Sequence, residues 1–88
     1  MNTKKPLVIN QPEVSQFIRE LRLLTKLTQE KFAIKIGVTC LTISRWENGR
    51  SQPSPLAMEK VEGILEEMGD TPSESLRDRA EELRSKYF

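Results

Sequence analysis

The chain has 88 residues, of which 36% are hydrophobic and 31% charged, with one cysteine, no histidine and a net charge of +1. That length suffices for one domain; a single cysteine excludes an internal disulfide, and a chain without histidine is a poor metal binder. No apolar run approaches the roughly 20 residues of a membrane span, and the first residues lack a signal-peptide core, so a reducing cytosol is the expected compartment.

Residues 1–12 carry two prolines and no periodicity. They read as an extended arm bearing Lys4 and Lys5: either a disordered terminus or an arm that reaches along a nucleic acid. Its apolar run Leu7-Val8-Ile9 leaves a strand, or packing on the domain, as further options. From Glu13 to about Lys26 the sequence turns helical. Val14, Phe17, Ile18, Leu21 and Leu24 follow the 3.6-residue period, with Arg19, Glu20 and Arg22 off that face. Leu27 is expected to be buried where this helix meets the next.

Thr28 then offers an N-cap, and Glu30 suits the positive end of a helix dipole. Phe32, Ala33 and Ile36 give the helix one apolar face, and Gly37 stops it where a positive φ is cheapest. Thr39 caps another helix two residues later. So short a connection brings the two helices together steeply, with the small Ala33 at their contact. In the second helix Ile43 and Trp46 point inward, Thr42 lies beside them, and Glu47 suits an ion pair to Arg19 or Arg22. Cys40, Leu41, Ser44, Arg45 and Asn48 share an outward stripe. Asn48 and Gly49, which both tolerate the left-handed conformation, end the helix.

Ser54 and Pro55 start a fourth helix as N-cap and first residue. Its buried stripe is expected to be Ala57, Val61, Ile64, Leu65 and Met68, with Glu59, Glu62, Glu66 and Glu67 facing water. Gly63 weakens its middle by about 1 kcal/mol relative to Ala, and Gly69 ends it. Thr71, Pro72 and Glu74 fit the N-cap, first and third positions of a fifth helix. Leu76, Ala80, Leu83 and Tyr87 form its apolar seam, and Arg77–Glu81 and Glu82–Lys86 suit pairing one turn apart. So narrow a seam is marginal alone; it either folds back on its own domain or pairs with the same helix of a second chain. The whole reads as all-α, a compact bundle of four to five helices divided into an arm (1–12), a core domain (13–69) and a C-terminal helix (70–88).

Charge is segregated. Residues 1–55 hold nine Lys and Arg against four Glu, hence +5; residues 56–88 hold five against nine acids, hence −4, which together restore +1. The half with the capped helix pair is therefore the half suited to phosphates.

The segment Thr28–Arg50 resembles the phage-repressor and Cro type of helix-turn-helix, often called the XRE family. The likeness is carried by Gln29, Ala33, Gly37, Val38-Thr39, Ile43 and the run Ser44-Arg45-Trp46-Glu47-Asn48-Gly49-Arg50, with Pro53 and Pro55 soon after, and covers roughly residues 13–69. It implies a lambda-repressor-like fold and a sequence-specific, double-stranded-DNA-binding transcriptional regulator, a dimeric repressor whose helix 40–48 enters the major groove. Matched position by position, Gln29, Thr39 and Asn48 are expected on the DNA backbone, with Arg50 taking a further phosphate. Cys40, Leu41, Ser44 and Arg45 are expected at base edges, Arg45 gripping guanine O6 and N7. Phage repressors have polar residues where this chain has Cys40 and Leu41, so Leu41 is expected on a thymine methyl group; a partner contact or the core edge is its other reading. Cys40 is a small groove-filling residue or, at a helix N-terminus, a redox-sensitive thiol. Trp46 is expected in the core rather than stacked on bases.

Nothing in the sequence arranges catalytic residues, and no cofactor or effector pocket is expected. Two rivals stand beside the regulator: an antitoxin that binds its operator and a toxin, and a protein-interaction module that has lost DNA binding. Steep salt dependence distinguishes DNA binding from the second.

Overall fold

The computed structural model describes residues 13–88, and the expected arm lies outside them. Five helices follow in order among the described residues: α1 (Glu13–Thr25), α2 (Gln29–Ile36), α3 (Cys40–Glu47), α4 (Pro55–Gly69) and α5 (Glu74–Tyr87), with no strand. In α1, Val14, Phe17, Ile18, Leu21 and Leu24 are all buried, as the helical period requires. The helix closes when the Thr25 hydroxyl donates to the Arg22 carbonyl at 2.6 Å and Lys26 turns to φ 62°. Leu27, expected to be buried, is only half-buried against the core, at the bend rather than within it.

The helix pair forms as its caps dictate. The Thr28 hydroxyl accepts from the Lys31 amide, and the Thr39 hydroxyl from the Thr42 amide, each at 3.1 Å. Gly37 takes φ 90°, so its amide and that of Val38 both reach the Ala33 carbonyl, at 2.7 and 3.0 Å. Phe32, Ala33, Ile36, Ile43 and Trp46 are buried together. At the end of α3 only Gly49 is left-handed, at φ 74°; Asn48 caps the helix at φ −96°.

α4 is capped by Ser54, whose hydroxyl accepts from the Ala57 amide at 3.2 Å, with Pro55 at its start. Its buried arc is wider than the apolar stripe, because α1, α2 and α5 all pack on this helix. Met58 is buried and Ala57 and Met68 only half so. Glu62, expected in water, is 6% exposed, whereas Glu59, Glu66 and Glu67 do face solvent.

α5 starts two residues later than Thr71 would cap it. Ser73 is the cap, accepting from the Leu76 amide, and the Thr71 and Pro72 carbonyls, left outside the helix, accept instead from the Arg77 guanidinium at 3.0 and 3.1 Å. Lys86 likewise bonds Glu20 of α1 at 3.2 Å rather than Glu82. The α5 seam folds back on its own chain: Ala80, Leu83 and Tyr87 are buried, and the Tyr87 and Phe88 rings lie 5.3 and 5.2 Å from Phe17. Among the described residues no helix is long and apolar enough to cross a membrane.

Candidate nucleic-acid interface

α3 rests on α2 and α1, whereas α5 packs on α1 and α4. That division decides what stays open. Cys40, Leu41, Arg45 and Asn48 are exposed and Ser44 half-buried, and none of the described residues forms a lid over them. Leu41 is 59% exposed, which removes the core-edge reading of this side chain. Among the described residues neither the Arg45 nor the Arg50 guanidinium forms an ion pair, so both charges are available to an anion. Arg50 is held beside α3 because its amide donates to the Arg45 carbonyl at 2.9 Å. The Cys40 thiol is free and exposed.

Polar groups on the stripe and at its start are ordered by local bonds. Thr39 and Thr42 hydroxyls lie 2.9 Å apart, and the Asn48 amide nitrogen donates to the Ser44 hydroxyl oxygen at 3.3 Å. Thr39 and Asn48 stand at the two ends of α3, and Gln29 opens α2.

Behind the stripe lies a buried charge cluster. Glu47 is one turn after Ile43 and takes the same inward phase, with its side chain 2% exposed. Arg22 meets it with two bonds, Nε to Oε2 at 2.6 Å and Nη2 to Oε1 at 3.1 Å, and a third from Nη1 to the Leu27 carbonyl at 3.1 Å. The hydrogen bond to Glu47 raises the Arg22 guanidinium above its ordinary value against the opposing effect of burial. Arg19 donates to the Glu47 carbonyl at 3.1 Å. Both arginines expected as partners are thus engaged, one by side chain and one chiefly by backbone.

The sequence reading missed one member. The Gln29 side-chain amide donates to Glu47 Oε1 at 3.0 Å, so the start of α2 is tied to the end of α3 through one carboxylate. The inward phase of Glu47 was the available signal; the position of Gln29 required knowing how the helices cross. Glu47 therefore fixes the pose of α3 from α1 and α2 together.

Chemically, the site offers two unpaired guanidinium groups, an exposed leucine and oriented hydroxyl and amide groups on one convex helix. Among the described residues, no three His, Cys, Asp or Glu side chains are grouped to hold a metal ion. A convex stripe of this kind binds an edge or a groove rather than enclosing a small molecule.

Comparison with known proteins agrees with the geometry. Residues 18–67 match the family model described as helix-turn-helix, more than half of the chain. A relative from Bacillus subtilis (strain 168), the uncharacterized HTH-type transcriptional regulator RghRB, is 41% identical over 51 residues, covering 57% of this chain and 37% of that protein. The chain thus spans well under half of the relative's length. No solved structure gives a match.

Proposed function

Since this chain belongs to the helix-turn-helix family, we propose that it is a sequence-specific, double-stranded-DNA-binding transcriptional regulator, a dimeric repressor that lays α3 in the major groove. The observation that carries this reading is the uncovered outer stripe of α3 with the unpaired Arg45 and Arg50. In it, Arg45 bonds a guanine edge, Leu41 packs on a thymine methyl, and Ser44 and Cys40 face neighbouring bases. Gln29, Thr39, Asn48 and Arg50 hold the backbone and set register. Gln29 is well suited to that task because Glu47 already holds one of its amide hydrogens, leaving the other to donate. The acidic α4, docked on α1, α2 and α5, faces away from the duplex.

A second copy cannot use the α5 seam, which is filled by α1 and α4 of the same chain. The dimer expected from the family resemblance then needs another surface. The shallow groove lined by Glu20, Leu23, Leu24, Arg79, Glu82 and Leu83 supports one, since Leu23 is 59% exposed there.

Selection of bound sequences from a random DNA pool, followed by salt titration on the selected site, tests the reading. Affinity is expected to fall steeply with salt. Arg45→Ala is expected to weaken the selected site by roughly 1–3 kcal/mol and to relax choice at one base pair, with melting unchanged. Selection that yields no enriched sequence, or affinity indifferent to salt, would favour the protein-interaction module, for which the exposed Leu41 supplies an apolar contact.

A further inference from the structure

We propose that Asn48 sets the hydrogen-bond polarity of Ser44, so that this pair rejects cytosine at one position of the bound site. The inference rests on the DNA-binding reading above and goes beyond it: Asn48 acquires a positioning role in base choice besides its backbone contact.

A serine hydroxyl is ambivalent, donating one proton and accepting on two lone pairs. Here one of the two lone pairs is occupied, which biases the hydroxyl toward donating. The Asn48 side-chain nitrogen, 3.3 Å away, donates to Ser44 Oγ. That amide orientation is the one the helix end favours, since Asn48 caps the C-terminus of α3, where the unsatisfied carbonyls attract an N–H and repel an oxygen. Among the described residues no group accepts the Ser44 hydroxyl proton, not even the carbonyl one turn back that serines in helices commonly use. Thr39 and Thr42, by contrast, turn their hydroxyls on each other. Ser44 therefore presents its proton to the outside, with a single lone pair left beside it. The major-groove edges of guanine (N7, O6) and thymine (O4) accept such a proton, and adenine does so at N7, whereas cytosine offers only its N4 donor.

The test is selection from a random DNA pool with the full chain as wild type, Ser44→Ala, Asn48→Ala and Asn48→Asp, with thermal melting confirming that each variant folds. The wild type is expected to disfavour cytosine at one position by about three- to tenfold, the size of one neutral hydrogen bond. Ser44→Ala flattens that position alone, and Asn48→Ala weakens the preference there. Asn48→Asp inverts it toward cytosine, because a carboxylate only accepts: the hydroxyl turns to donate to Asp and shows its lone pairs to the base. The added charge weakens binding to all sequences, but only the change of polarity moves the preference. An Asn48→Asp selection with the wild-type preference intact overturns the inference while leaving the regulator reading in place. If Asn48→Asp binds too weakly to select, Asn48→Ala decides, and an unchanged preference overturns the inference. A wild type that enriches no sequence overturns the regulator reading and this inference together.

Discussion

Glu47 is the residue on which most depends. Its carboxylate is buried and receives Arg22 and Gln29, and its carbonyl receives Arg19. Removing one partner of a buried pair leaves the other charge desolvated, so Glu47→Ala is expected to destabilise the fold by about 3–5 kcal/mol in urea melts. The exposed Arg45, in contrast, has no such partner to strand. A second residue-scale prediction concerns Tyr87, whose phenol donates to Glu20 at 2.6 Å. Burial, reinforced by that hydrogen bond and the charge of Glu20, holds the phenol above its ordinary value. The fold therefore favours the neutral form. Its stabilisation is complete below the unfolded value of about 10 and is lost as pH rises toward the folded one. Melting temperature of the wild type is expected to fall above about pH 10 more steeply than that of Tyr87→Phe; parallel curves would refute the coupling.

At the scale of the element, the turn between α2 and α3 sets where the outer stripe points. Gly37 sits at φ 90°, and a Cβ there would meet only the tip of Lys60, at an ordinary 3.7 Å. The obstacle to Gly37→Ala is thus backbone strain and not space. A loss of roughly 1–2 kcal/mol in denaturant melts is expected, with DNA affinity falling further if the crossing of the helices shifts. The caps show how far local rules reach. Thr28, Thr39 and Ser54 cap where the sequence places them: Thr39 follows Gly37 by two residues, Ser54 stands between Pro53 and Pro55, and Thr28 follows the left-handed Lys26 by two. At α5 two hydroxyl residues compete two positions apart. Ser73 is the one that caps, with Glu74 entering the positive first turn and Arg77 satisfying the carbonyls left outside.

For the whole molecule, one apolar cluster joins residues from all five helices. α5 is part of it through Ala80, Leu83 and Tyr87, so it is not an appendage. A chain cut after Asp70 would expose Phe17, which is fully buried in the intact fold. Such a chain is expected to melt at markedly lower temperature and less cooperatively by circular dichroism; unchanged melting would show that α5 is dispensable to the core. Of the −4 charge of residues 56–88, −3 resides on α4 and the rest on Asp70, before an α5 whose four acids and four bases cancel; α4 and α5 pack on each other. Their placement leaves α3, in the positive half, as the open face.

The sequence by itself determined the α1 core residues, the capped pair α2–α3, the inward Trp46, and which five residues share the outer stripe. Each of these follows from a period or a cap spanning a few residues, information that local geometry carries in full. Only the tertiary structure decided that Gln29 shares the carboxylate of Glu47, that Glu62 is buried, and that the α5 seam closes on its own chain. Those depend on which helices meet and at what angle, as between residues 18 or 67 positions apart. A sequence pattern can mark a face as needing a partner, but the packing of the whole chain selects the partner.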